Sequence, residues 1–179
     1  MARYGMLIDT TKCIECFSCR VACQMQNGLP PEESFIKFYG QEEGTYPHVS
    51  YYTVPVQCQH CENPPCVANC PTGASYQTEE GVVLVNEEKC ISCKYCMVSC
   101  PYQARVVSEK TGVVEKCRFC IEEVRQGKEP ICVTTCVGNA RIFGDLDDPN
   151  SEIVRAIAKK KAKPLRPDLG TKPKIFYVR

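Results

Sequence analysis

Long hydrophobic runs are missing from this sequence. The longest, such as Val82-Val83-Leu84-Val85, fall far short of the ~20 apolar residues that a membrane-spanning helix needs, so an integral membrane protein is not expected. Before Asp9 the N-terminal segment holds only a few apolar residues. That is too few for a signal-peptide core, and conventional secretion is not expected either. Charge of one sign is missing as well. The formal net charge is +1, which leaves the chain as a whole without the basic footprint of a nucleic-acid binder. Histidine is scarce: His48 and His60 are the only two, and neither stands in the motif of a Rieske centre. No grouping of histidine, serine and carboxylates offers an active site or a small-molecule substrate pocket.

What is abundant is cysteine, sixteen in 179 residues, far above ordinary usage. A chain of this length is one domain or two small ones, with a modest core. Without an export signal, a disulfide scaffold is the weaker use of these thiols. Zinc and iron–sulfur clusters remain, and spacing separates them. Cys13, Cys16, Cys19 and Cys23 form a C-x2-C-x2-C-x3-C run, and Cys90, Cys93, Cys96 and Cys100 form another; this is the run of bacterial ferredoxins. Cys58, Cys61, Cys66 and Cys70 read C-x2-C-x4-C-x3-C, while Cys117, Cys120, Cys132 and Cys136 read C-x2-C-x11-C-x3-C. No cysteine is left over, which argues against scattered disulfides, and C-x2-C pairs would close small strained loops. Zinc sites usually separate two C-x2-C knuckles by a longer spacer. Four [4Fe–4S] clusters are therefore expected, with the sixteen cysteines as iron ligands.

The spacing has a mechanical reason. Three cysteines two residues apart wrap a tight loop around one cubane, and the backbone N–H groups of that loop point at its sulfides. The fourth cysteine lies about one helical turn further on and faces away, toward the other cluster of a pair. A proline closes the run at Cys70-Pro71 and Cys100-Pro101 but not at Cys23-Gln24 or Cys136-Val137. Each oxidised core with four thiolates carries −2, so four of them would take the net charge from +1 to about −7. Lys12, Arg20, Lys89, Lys94, Lys116 and Arg118 lie near the motifs and can partly screen that charge. Ordinary solvated surface charge is an equal account of each.

Periodicity places the groups between short elements. Residues 3–8 read as a strand, residues 74–78 and 82–86 as a hairpin around Glu79-Glu80-Gly81, and residues 104–108 and 112–116 as a second hairpin. A further strand at 140–143 is expected to pair with 3–8, and residues 20–27 and 65–70 read as short helices. Residues 24–57 form a cysteine-free insertion with alternating stretches at 35–39 and 49–56. Its tyrosines (Tyr39, Tyr46, Tyr51, Tyr52) suit strand packing, cluster shielding or a partner face. From Arg155 onward there are nine Lys or Arg against one Asp, and residues 151–161 read as a helix capped by Asn150 or Ser151. That basic tail is expected to pack on an acidic cluster domain or its partner subunit. The class is α+β with little regular structure, metal sites replacing much of the usual core.

The stretches at residues 58–74 (CQHCENPPCVANCPTGA), 90–105 (CISCKYCMVSCPYQAR), 116–136, 143–149 (FGDLDDP) and 165–177 (LRPDLGTKPKIFY) carry a resemblance over nearly the whole chain. It resembles the iron–sulfur electron-transfer subunit of the dimethyl sulfoxide reductase superfamily of molybdopterin oxidoreductases, nearest to the B subunit of the polysulfide or thiosulfate reductases. The resemblance implies two interleaved ferredoxin-like modules. One comprises residues 1–55 and 105–179, with cysteine groups one and four, the insertion and the tail; the other comprises residues 56–104, with groups two and three. It further implies that Cys13, Cys16, Cys19 and Cys136 hold one cluster, and Cys23, Cys117, Cys120 and Cys132 its neighbour. Cys58, Cys61, Cys66 and Cys100 would hold a third, and Cys70, Cys90, Cys93 and Cys96 a fourth.

Such a subunit has no catalytic residues of its own. The resemblance implies that it relays single electrons between an integral membrane quinone-reactive subunit and a molybdopterin (bis-pterin) catalytic subunit, for a sulfur-compound reductase acting on polysulfide, thiosulfate or tetrathionate. It also implies membrane association through partners, on the periplasmic side by co-export with a partner, the cytoplasmic side being the alternative. A free-standing polyferredoxin, or the iron–sulfur subunit of a formate dehydrogenase or hydrogenase, are the other uses of the same modules. Nucleic-acid binding through the tail lacks an aromatic basic platform.

Overall fold

The protein is described by a computed structural model covering residues 2–179. The expected N-terminal strand is β1 (Tyr4–Asp9), and Met6, Leu7 and Ile8 in it are fully buried. A strand apolar on both faces belongs inside a sheet, and β1 lies inside a four-stranded one. The other hairpin strands are β2 (Lys37–Thr45) and β3 (His48–Val56), β4 (Ser75–Gln77) and β5 (Val83–Val85), and β6 (Val106–Val107) and β7 (Val114–Glu115), each pair antiparallel. After them come β8 (Arg141–Asp145), β9 (Lys163–Pro164) and β10 (Ile175–Val178), which complete the main sheet in the order β8-β1-β10-β9.

Pairing of β8 with β1 is antiparallel, Leu7 opposite Ile142, as the two apolar stretches suggested. The surprise lies on the other side, where β10 runs parallel to β1, with Leu7 opposite Phe176. The last fifteen residues, part of the basic tail by composition, therefore include an interior strand. Net charge describes a segment's partners and solubility rather than its fold, and here it hid the alternation Ile-Phe-Tyr-Val, in which Ile175 and Tyr177 are buried.

The helices are α1 (Ser18–Asn27), α2 (Pro65–Ala68), α3 (Tyr95–Val98), α4 (Ile121–Val124), α5 (Ile131–Thr134) and α6 (Glu152–Lys160). Four of them carry cysteine, and they pack in pairs, α1 on α5 and α2 on α3. Helix α6 is built by its own signals: the Ser151 side chain accepts from the Val154 N–H at 3.4 Å, Glu152 opens it and Lys159 and Lys160 close it. It packs on β8 and β1 through the fully buried Ile153, and Lys160 pairs with the buried carboxylate of Asp9. This part of the tail does lie on the cluster-bearing body. The core it covers is part metal-ligand chemistry: Cys19, Cys23, Cys117 and Cys132 stand in one cluster with Met6 and Ile8, and Cys66 and Cys96 pack with Val83 and Val114 in a second.

Because β10 closes the sheet, truncating Ile175 to Ala should cost about 2–5 kcal/mol. Leu169→Ala, at a half-exposed site just upstream, should cost about 0.5 kcal/mol or less. Anaerobic denaturant titration of the two holoproteins checks the difference.

Candidate iron–sulfur centres

The cysteine loops are shaped by one repeated backbone choice. In all four groups the residue two beyond the first cysteine has a left-handed conformation: Glu15 (φ 52), His60 (φ 43), Ser92 (φ 55) and Phe119 (φ 55). In groups one and three a second one follows at Phe17 (φ 59) and Lys94 (φ 59). Such non-glycine φ values are uncommon and cost about 1–2 kcal/mol each. They curl the chain so that successive thiols turn to a common side. A matching turn follows the last cysteine of three groups, with Gly73, Gln103 and Asn139 left-handed and each donating its N–H to the cysteine carbonyl three residues back at 3.0–3.2 Å.

These loops bring the sixteen free thiols into four sets. Cys13, Cys16, Cys19 and Cys136 line one cavity. Cys23, Cys117, Cys120 and Cys132 line a second, and Cys70, Cys90, Cys93 and Cys96 a third. Cys58, Cys66 and Cys100 are the thiols whose charge bears on Cys61, which completes the remaining set. In the first, second and fourth of the implied ligand sets the thiols line a common space, as the corners of a cubane require.

Donors and electrostatics suit that group. Backbone N–H groups of Ala140, Ser75 and Phe119 reach Cys136, Cys70 and Cys117 Sγ at 3.2, 3.4 and 3.5 Å, and the Asn27 amide reaches Cys23 Sγ at 3.5 Å. Donors of this kind stabilise negative charge on sulfur. Burial, reinforced by neighbouring thiols, pushes Cys23 and Cys61 up to about 12 and Cys117 well above the usual thiol range. Thiols so crowded deprotonate together only around a cation, which is what an iron–sulfur core supplies.

The charges of the sets bear on one another pairwise. Cys132 of the second set feels Cys19 of the first, Cys117 of the second feels Cys58 of the third, and Arg105 lies against both Cys66 of the third and Cys96 of the fourth. Cys16 and Cys93, in the first and fourth of these sets, are the exposed cysteines among the described residues.

Of the six basic residues singled out in the sequence, Lys12, Lys89 and Lys94 are solvated and Arg118 pairs with Glu87 at the surface. Only Lys116 is buried, its ammonium donating to the carbonyls of Val83 and Cys117. The two arginines that matter most, Arg105 and Arg141, were not among them. Both are buried, at 4% and 5% exposure. Their signal is the repeat Cys-x3-Ala-Arg, Cys100 to Arg105 and Cys136 to Arg141. His60 is buried too, neutral because burial and then the charges of Lys116, Lys174 and Arg105 hold it well below the usual imidazole range. Its Nδ1 accepts from Val83 N–H at 3.1 Å and its ring stacks on Phe119 at 3.8 Å, so it packs the site rather than ligating. The insertion forms the exposed β2–β3 arm, where Tyr51 donates to Glu15 at 2.7 Å and Tyr52 to Glu43 at 2.9 Å, while Tyr39 and Tyr46 stay exposed.

The sequence matches the family model of the 4Fe-4S dicluster domain over residues 49–146, and a second 4Fe-4S dicluster model over residues 12–74. It is 41% identical to the B subunit of tetrathionate reductase from Salmonella typhimurium over 181 residues, covering 98% of this chain and 72% of that protein. It is also 41% identical to the B subunit of polysulfide reductase from Wolinella succinogenes, covering 98% and 94%. The B subunit of sulfite dehydrogenase from Allochromatium vinosum is 38% identical, covering 99% and 83%.

If the left-handed positions shape the loops, Ser92→Val should weaken the third loop by about 1–2 kcal/mol relative to Ser92→Gly. Iron and sulfide analysis of the two purified variants should then show the valine protein losing cluster content while the glycine protein keeps it.

Proposed function

The protein belongs to the iron–sulfur B subunits of the molybdopterin oxidoreductases, and on that premise we propose that it relays single electrons along four [4Fe–4S] clusters between a molybdopterin catalytic subunit and an integral membrane quinone-reactive subunit. The observation that carries this reading is the gathering of all sixteen cysteines into four sets of four, each joining three thiols of one loop to a fourth from another. The four sets are the proposed ligand sets. When bound, the clusters supply one-electron chemistry with little structural change.

The chain's own residues do the rest. Cysteine thiolates hold the iron, backbone N–H groups and buried cations offset the thiolate charge, and apolar packing limits water. The proposed order is Cys13/16/19/136, then Cys23/117/120/132, then Cys58/61/66/100, then Cys70/90/93/96, supported by the electrostatic influence of each set on the next. The ends are where partners must come. Cys16 sits among exposed Ile14, Phe17 and Val21, and Cys93 among exposed Ile91, Tyr95 and Val98. Exposed apolar collars of that kind mark protein contacts.

The packing of α1 on α5 and α2 on α3 supports two interleaved modules, residues 1–55 with 105–179 and residues 56–104. No helix of the described residues is long and apolar enough to cross a membrane, and membrane association through partners, on the periplasmic side, is part of the proposal. The relatives named for tetrathionate, polysulfide and sulfite support a sulfur compound as the terminal substrate of the assembly.

Anaerobically purified protein should contain about sixteen iron and sixteen sulfide, and stoichiometric zinc with little sulfide would overturn the reading. Wiring is tested by Cys23→Ser and Cys136→Ser. The first should perturb the paramagnetic resonance signal that Cys117→Ser perturbs, and the second the signal that Cys13→Ser perturbs. If Cys23→Ser instead shares its signal with Cys13→Ser, the proposed ligand sets fall.

A further inference from the structure

Two guanidinium groups occupy matching places that the ligand sets do not account for. Arg105 and Arg141 each stand five residues after the last cysteine of a group and directly after an alanine. The corresponding residue after Cys70 is Ser75, and Arg105 Nη1 donates to its Oγ at 3.0 Å. Arg141 Nη1 donates to Gln57 Oε1 at 2.9 Å. In both residues Nη2 is buried without a partner, and no carboxylate pairs with either among the described residues. A buried cation with no counter-ion is costly.

The groups whose charge bears most on Arg105 are Cys66, Cys96 and Cys58, and on Arg141 they are Cys132 and Cys19, with Cys136 further down. Arg141 lines the cavity of the first set, and Gln57, which accepts its hydrogen bond, lines the cavity of the second. Arg105 is joined through Ser75 to the cavity of the fourth set, where Ser75 N–H reaches Cys70 Sγ, and the thiol that bears most on it is Cys66 of the third. The missing counter-ions are the thiolate-bound centres on either side.

We propose that Arg141 and Arg105 are junction cations: each holds up the reduction potential of the two centres beside it and flattens the difference between them. A centre that gains one electron goes from −2 to −3 including its thiolates, and its neighbour, losing that electron, returns from −3 to −2. A fixed +1 between them stabilises the extra electron on either side. An electron crossing the junction therefore stays beside the same charge. Arginine suits this place because it stays charged when buried and spreads its donors over a plane that can face two thiolates at once. The inference rests on the four-cluster reading above.

The test is redox titration of the full holoprotein with dithionite, followed by paramagnetic resonance. At a fixed poise, Arg105→Gln should lower the reduced-to-oxidised ratio on the order of tenfold at the third and fourth centres, leaving the first and second nearly unmoved. Arg141→Gln should do the reverse. If a glutamine variant fails to hold four clusters, Arg→Lys at that position serves: it keeps the charge but moves it toward one thiolate, so the two signals of that pair should separate. Signals that stay in place in variants with full iron content, or that shift equally at all four centres, overturn the junction assignment. An iron and sulfide count short of four clusters in the unmutated protein would instead overturn the reading beneath it.

Discussion

The fourth thiol of each cysteine group stands with the first three of another, and most of the architecture follows from that. A loop short enough to curl three thiols inward, with Glu15 and Phe17 or Ser92 and Lys94 left-handed, runs directly into a helical turn whose cysteine points elsewhere. Cys23 lies on α1 and lines one cavity with Cys120 and Cys132, while Cys100 follows α3 and bears on Cys61 together with Cys58 and Cys66. Groups one and four must then lie side by side, as must two and three, and the packing of α1 on α5 and α2 on α3 follows. Sheet pairing serves the same end: β8 starts five residues after Cys136 and β1 ends four before Cys13, so their antiparallel ladder holds those two thiols to one cavity.

Charge is the second constraint. Eight buried and six half-buried thiolates cannot be held in so small a body without compensation, and the chain supplies it from three directions. N–H groups reach sulfur at Cys70, Cys117 and Cys136, Arg141 and Arg105 fill the outer junctions, and Lys116 lies against Cys58 and Cys117 at the middle one. Two C-terminal lysines engage the body as well: Lys160 pairs with the buried Asp9, and Lys174 is buried against the Gly81 carbonyl. These interactions are worth little one by one at the surface. At the buried junctions a lone charge would be expensive, so centre and cation depend on each other.

What was legible in the sequence was what local chemistry writes. The hairpin around Glu79-Glu80-Gly81 and the Ser151 cap rest on neighbours in sequence and appear as elements, while the apolar stretch at residues 140–143, legible by its composition, enters β8 and pairs with β1 from far along the chain. The parallel strand β10, which pairs Met6 with Ile175, was not legible because its lysine-rich surroundings mask its alternation. The left-handed residues were equally silent: Glu15, Ser92 and Phe119 share no side-chain property, and only the cysteine loop imposes their φ. Arg105 and Arg141 carried a readable sign in Cys-x3-Ala-Arg, but its meaning depends on the two sets meeting in space. Proximity to a motif in sequence was the poorer guide, as solvated Lys12, Lys89 and Lys94 show.

Exposure completes the physical logic of a relay. A buried centre is protected from water but can exchange electrons only with centres close by, so a wire must thin its cover where it ends. The inner sets have none of the exposed cysteines, while each outer set has one, at equivalent places in its loop. Around them the large exposed apolar residues repeat as well, Ile14 with Ile91 and Val21 with Val98. A stable isolated protein would gain by making those positions polar. Together with the exposed tyrosines of the β2–β3 arm, beside the first of these loops, they fit a subunit whose finished surface includes other chains. The same thinness that lets electrons pass leaves the terminal clusters open to water and oxygen until partners cover them, which ties the function of this protein to its assembly.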